Sequence, residues 1–303
     1  MMSRALRGLV ALGLILIGLL SASATVVAWQ DPAAETSRKN QQTKVEAGTA
    51  DLVRTFPIPS RNGGAVAYAM PLKNMTIDGK LDDWPADAER LPIKNLLNYP
   101  ARYGLNGLDK VELSDNPNLS ASFLAGYSKE SGVIYLAIIV RDDKHIVDFE
   151  SPFKTDSVEI FIDGKRSDIK IPAPEDPWEE HIDASQMPVL QYVGVAGNGA
   201  AYANKEGTNY TLKYGKIANT KTRMAYQTTG DLTVYEWAIQ AFDQYPDSPT
   251  VLKPGKRIGL DIAVVDNDGG DSPSAWMCWG PLPNYFKGFN SSNLGDLILG
   301  EAP

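Results

Sequence analysis

A single cysteine, Cys278, leaves the chain without an intrachain disulfide, and only two histidines, His145 and His181, accompany it. A closed structural zinc site takes four Cys or His ligands. The folded part must therefore rest on apolar burial, with an oxygen-ligated metal as the inorganic help still open. Cations are in short supply too: 29 Lys and Arg stand against 37 Asp and Glu, a net charge of −8. Neutralising phosphates takes a basic patch that this balance does not provide, so nucleic acid is not expected as a partner. The signatures of catalysis are missing as well. No G-x-S-x-G elbow, H-E-x-x-H pair, Walker loop or dinucleotide glycine fingerprint occurs, and neither histidine sits in a supporting motif. The chain does not read as an enzyme.

Long apolar runs are also scarce, and the one present is terminal. Gly8–Leu20 is uncharged, follows Arg4 and Arg7, and precedes the small residues SASATVVA. That is the plan of a secretory signal over residues 1–28, cleaved after Ala24 or Ala28. It is short of the ~20 apolar residues that span a bilayer. The expected location is therefore secreted or periplasmic, with membrane attachment only if the signal stays uncleaved. Residues 29–64 read as a polar linker, since QDPAAETSRKNQQTKVEAGTADLVR offers too little apolar surface to repay ordering.

What fills residues 65–303 is short strand signals, with few helical ones. Ser120–Tyr127 and Val133–Val140 flank a five-residue hairpin loop ending in Gly132, and the second is apolar on both faces, as a doubly covered central strand would be. Asp156–Asp163 alternates: Val158, Ile160 and Ile162 share one face, Ser157, Glu159 and Phe161 the other. This predicts a half-buried strand with Glu159 on its polar outer face. Val189–Ala196, Thr222–Thr228, Leu232–Gln240, Arg257–Val265 and Leu294–Leu299 follow. Strands at such spacing predict an all-β fold, an antiparallel β-sandwich, in a single domain. The Pro-, Asp- and Glu-rich stretch 165–188 reads as an inserted surface loop.

Oxygen ligands are plentiful. Asp266 and Asp268 open the run DNDGGD, which invites a calcium reading with a solvated turn after the Arg257–Val265 strand as the alternative, and Asp142, Asp143 and Asp156 near one strand end are further candidates. The run is not an EF-hand, because Gly270 stands where an oxygen ligand belongs and Met277 replaces the closing glutamate.

Six separated stretches then carry a resemblance: TIDGKLDDWP (Thr76–Pro85), VIYLAIIVRDD (Val133–Asp143), TDSVEIFID (Thr155–Asp163), YEWAI (Tyr235–Ile239), RIGLDIAVVDND (Arg257–Asp268) and NLGDLIL (Asn293–Leu299). In this order the chain resembles carbohydrate-binding module family 9 from about Met75 to Leu299. The resemblance implies a jelly-roll-like sandwich that binds a mono- or oligosaccharide, often appended to xylanases or working beside another glycoside hydrolase in polysaccharide catabolism, with structural calcium. It implies that Phe153 takes the place of the family's tryptophan platform and that Glu159 accepts sugar hydroxyls. A second ring comes from Tyr285, Phe286 or Phe289 in the loop LPNYFKGFNSSNLG. The family's arginine is missing from the strand Leu190–Ala196, where Gln191 offers an amide instead. Trp84, Trp276 and Trp279 read as packing residues.

Elementary energetics make such a site sufficient. Covering ~60 Å² of a pyranose face contributes about 1.5 kcal/mol, and a hydroxyl donating to a carboxylate adds roughly 1.5–3 kcal/mol. Two alternatives remain from other classes. One is a haem-bearing electron-transfer module of similar sandwich fold, with methionine and a residue such as His145 as axial ligands. The other is a structural envelope domain whose sugar site has decayed.

Overall fold

A computed structural model describes residues 65–96, 119–147, 155–172, 183–197, 210–212, 221–268, 275–280 and 285–301. All belong to one compact unit, Ala47–Pro303. The strands are β1 (Val66–Pro71), β2 (Leu91–Ile93), β3 (Asn95–Leu96), β4 (Leu119–Ser128), β5 (Val133–Asp142), β6 (Ser157–Asp163), β7 (Leu190–Val195) and β8 (Tyr210–Leu212). They continue with β9 (Arg223–Thr229), β10 (Leu232–Ile239), β11 (Phe242–Gln244), β12 (Ser248–Pro249), β13 (Arg257–Asp266), β14 (Ala275–Cys278) and β15 (Gly295–Leu299).

The strands form two layers joined by one strand. One layer runs β8-β7-β6-β13-β15, with β14 beside β13; the other runs β4-β5-β10-β9, with β2 on β4. The first residues of β1 pair with β15 and its last with β4, both in parallel, so a single strand passes from one layer to the other. The antiparallel expectation therefore holds for most pairs, but the sheet is mixed. The eight expected strands all form, with ends shifted by a residue or two. Seven further strands form, β1, β2, β3, β8, β11, β12 and β14; β2, β3, β8, β11 and β12 are two or three residues long, too short to show a period.

Between the layers lies the main core, built from Phe123, Leu136, Ile138, Ile160, Ile162, Trp237, Ile262 and Leu297 among others. Trp279 belongs to it, edge-on to Phe123 at a centroid distance of 5.2 Å. A second cluster covers the outside of β5 and β10: Leu72, Met75 and Trp84 pack on Tyr135, Ala137, Ile139 and Val234. This is why Val133–Val140 is apolar on both faces.

The cover is pinned by one carboxylate. Glu236 of β10 has no exposed surface, and its Oε1 accepts from Trp84 Nε1 at 3.0 Å. Its Oε2 accepts from the backbone N–H groups of Asp78 and Gly79 at 2.9 and 3.0 Å. Gly79 holds φ +81 and lies so close to Tyr226 that a Cβ there would meet its carbonyl carbon at 2.4 Å, so no other residue fits the turn. Trp84 is thus a packing residue with its polar end satisfied. Glu236→Gln puts an N–H₂ against donors that need an acceptor, and a loss of about 1–3 kcal/mol of unfolding free energy is expected in urea titration. An unchanged midpoint would show that the three bonds do not hold the cover.

Candidate functional site

The outer face of the β8–β15 layer is polar in its middle. Register sets Ala263 of β13 opposite Glu159 of β6, and Glu159 opposite Val193 of β7. One step along, Asp261 lies opposite Phe161, and Phe161 opposite Gln191. All of β6 is buried, so the expected half-buried strand is corrected: Glu159 stands on the predicted face, but it is 5% exposed. Its Oε2 accepts from Gln191 Nε2 at 3.1 Å, and Gln191 is buried too.

The cover over this face is the 3₁₀ turn Tyr285–Phe289. From it Lys287 reaches down with no exposed surface and forms an ion pair with Asp261 Oδ2. Asp261 Oδ1 accepts from the backbone N–H groups of Ile262 and Gly280, at 2.7 and 2.6 Å. A Cβ at Gly280 would meet Asp261 at 2.4 Å, so that position must be bare. Burial pushes the Lys287 ammonium below its ordinary range, while the Glu159 carboxylate draws it upward. The expected arginine is absent from β7, and the one cation among the described residues of this patch arrives from the turn instead. No periodic pattern marks Lys287, and only its place among three aromatics (YFKGF) set it apart from a surface lysine.

A second polar region lies where strand ends of the two layers meet. Asp142 closes β5, Asp156 precedes β6 and Asp266 closes β13; one carboxylate oxygen from each lies within 4.8 Å of the others. Asp142 forms a similar group with Asp143 and Asp268. Asp156 accepts from the N–H groups of Ile146 and Asn267. Neither oxygen of buried Asp266 meets a hydrogen-bond donor among the described residues. Burial, reinforced by the neighbouring carboxylates, pushes Asp156 up to about 8 and Asp266 up to about 7, and burial also raises Asp142. Three crowded carboxylates, one of them deprived of donors, fit a hard cation with oxygen ligands. His145 borders the group, its Nε2 2.6 Å from the carbonyl oxygen of Ala196 and its Nδ1 3.7 Å from Asp156 Oδ2. The haem alternative gains no support from a ring held this way.

The other sequence-nominated residues fall as follows. Phe153 lies outside the described residues. Tyr285 and Phe286 open the turn that carries Lys287. Phe289 closes it and is buried, with its carbonyl accepting from Ile171 N at 2.9 Å. Trp276 is buried and, by its pairing with Val265, belongs to the outer face rather than the core. The structure therefore brings Glu159 and Gln191 together under the Tyr285–Phe289 turn and gathers all five aspartates at the strand ends. Arg166 was missed altogether, because it sits in a stretch that reads as surface loop. It is buried at φ +55, its Nε donates to Asp296 Oδ1 at 2.7 Å, and Nη1 and Nη2 donate to the carbonyls of Ser291 and Leu294. It fastens the start of the insertion to the segment that follows the turn.

Comparison with known proteins agrees with this architecture. Two similar solved structures are of a carbohydrate binding module family 9 from Caldicellulosiruptor kristjanssonii. The one in complex with cellotriose shares 17% identity at a TM-score of 0.53, covering 78% of this chain and 95% of that one. The one in complex with glucose shares 18% identity at a TM-score of 0.52, covering 78% and 97%. At such identity the likeness speaks for the fold. No curated protein matches the chain. The family model described as "Carbohydrate family 9 binding domain-like" matches residues 77–301, and to that family the chain belongs.

Proposed function

We propose that the chain binds a neutral mono- or oligosaccharide without transforming it, on the outer face that carries Glu159 and Gln191. The observation that carries the reading is a mutually hydrogen-bonded carboxylate and amide on one sheet face of a carbohydrate-binding-domain family member. Such a pair suits the hydroxyl rim of a pyranose, since each group can exchange its present partner for a hydroxyl at little net cost. Phe153 offers the stacking face for the C–H side of the ring, and its smaller area than a tryptophan's implies weaker binding. Of the loop aromatics, Tyr285 and Phe286 are favoured over the buried, backbone-anchored Phe289. The solved relatives in complex with glucose and cellotriose support gluco-configured ligands as the starting choice. With its leader, the chain would act outside the cytoplasm, beside a glycoside hydrolase that works on the same polysaccharide.

Titrating the purified chain by calorimetry with glucose, xylose, cellobiose, xylobiose and cellotriose should give a Kd between micromolar and millimolar for at least one. Phe153→Ala combined with Glu159→Ala should abolish the heat while leaving the circular dichroism spectrum unchanged. A correctly folded wild type that is silent at millimolar sugar would retire the reading.

We further propose that Asp142, Asp156 and Asp266 hold a structural calcium ion, with Asp143 and Asp268 beside them. The ion would neutralise carboxylates drawn from both layers. The sign of the pH effect follows from the raised pKa values of Asp156 and Asp266. Folded carboxyls that hold protons more tightly than unfolded ones contribute stability below the ordinary carboxylate pKa of 3.8. That contribution is lost as pH rises through about 7 to 8. In chelator, Tm should therefore fall as pH rises from about 4 to about 8, and added calcium should restore it more at pH 8 than at pH 5. At a hundredfold excess over Kd the gain is about 2.7 kcal/mol. Asp266→Asn should raise Tm in chelator and lose most of the calcium response. Thermal scans that show no calcium shift at pH 8 would remove the ion.

A further inference from the structure

Glu159 and Asp261 face a ligand only if something moves. They are 5% and 0% exposed, and Lys287 above them is 0% exposed, so no saccharide hydroxyl reaches either carboxylate with the Tyr285–Phe289 turn in place. The turn's C-terminal side is fastened to the insertion: Ile171 N donates to the carbonyl of Phe289, and Ser291 N to the carbonyl of Ile169, both at 2.9 Å. Lys170 also bridges to Asn290, whose side chain caps the next 3₁₀ turn. Within the turn itself, the Lys287–Asp261 contact is the one ion pair among the described residues. Gly288 follows at once; a Cβ there would approach Met187 Cε at 3.3 Å, and the Gln191 amide oxygen lies 3.9 Å off. The lysine and its glycine neighbour therefore seat the turn on the polar face.

We propose that the Tyr285–Phe289 turn is a lid over the saccharide site, latched by the Lys287–Asp261 ion pair, and that the ligand binds by releasing the latch. This rests on the reading that the site lies at Glu159 and Gln191. The energetics suit a latch better than a permanent strut. A buried ion pair gains in mutual attraction about what it loses in hydration, so the closed state is favoured by a small margin. When Lys287 swings out it recovers water, and the exposed carboxylates need donors, which the hydroxyl rim of a sugar supplies. A neutral polyol is thus the class of ligand that completes the exchange, whereas an anionic sugar would be repelled by the Glu159 and Asp261 carboxylates. Each closed molecule is lost to binding, so the observed Kd is the intrinsic one divided by the open fraction.

The test compares the full chain with two variants. Lys287→Met removes the ammonium and keeps the length of the stem. Lys287→Met with Asp261→Asn removes both charges and leaves an oxygen for the Ile262 and Gly280 N–H groups, which guards against misfolding caused by an unpaired carboxylate. Amide hydrogen exchange over 285–289 should speed up about tenfold or more in both variants, with β5, β6 and β13 unaltered. Calorimetric affinity for glucose or cellotriose should rise about tenfold in Lys287→Met. Unchanged exchange in the turn overturns the latch whatever the titrations give, and so does faster exchange with equal or weaker sugar affinity. Faster exchange with no saccharide heat in any of the three proteins overturns the carbohydrate reading instead and leaves the latch standing.

Discussion

A lysine without exposed surface, paired with an aspartate without exposed surface, sets the character of the whole outer face of the β8–β15 layer. Asp261 cannot sit in the middle of a covered strand as a bare anion, for an unpaired buried carboxylate costs several kcal/mol. Two backbone N–H groups and one ammonium meet that need. Each supplier constrains the chain around it. Gly280 must be a glycine so that its N–H can approach, and the 3₁₀ turn must lie flat on the sheet so that Lys287 can reach. The same ammonium lies within electrostatic reach of Glu159, which gives the patch two buried carboxylates and one buried cation. Plain packing of this face would be served better by Leu and Val.

How much of this was legible depends on how far apart in sequence the partners stand. The alternation in Asp156–Asp163 assigned Glu159 to the correct face because the period-two rule is local. It failed on exposure, because the cover comes from a turn near the C-terminus and no window over β6 contains it. β5 went the other way: its unbroken apolar run announced cover on both sides, and the Leu72–Trp84 segment provides it. Arg166 illustrates the limit. A lone arginine between Lys165 and Ser167 reads as solvated, yet backbone carbonyls at Ser291 and Leu294 and the Asp296 carboxylate make a socket for it that only the folded chain assembles. The parallel pairings of β1 were illegible for the same reason, since strand direction in a sheet is set by connections rather than by residue pattern.

The acidic residues were nominated from composition and spacing alone, and the fold explains why three runs of chain contribute. Asp142 comes from the β4-β5-β10-β9 layer, Asp156 and Asp266 from the other, and the pairing of Ser157 with Val265 sets the last two side by side. Burial, with the neighbouring carboxylates, keeps Asp156 and Asp266 protonated further up the pH scale there. A divalent cation would favour the ionised forms instead. Solubility does not account for the cluster, because solubility is served at the surface and Asp266 is buried.

The two polar regions are linked through β6. Asp156 precedes it and Glu159 lies at its third position, so the strand entrance and the mid-sheet carboxylate belong to one rigid, fully buried element. Whatever neutralises Asp156 also fixes where β6 begins, and Phe153 stands three residues earlier in the chain. A ring that is to stack on a sugar held at Glu159 needs its distance from that carboxylate fixed to within an ångström or so. Anchoring the strand entrance through Asp156 with two backbone N–H bonds is a direct way to achieve this. If the proposed cation and saccharide both bind, they would be coupled through a shared strand, and the strength of that coupling would be bounded by how far β6 can shift against β13 without breaking the seven pairs that hold them.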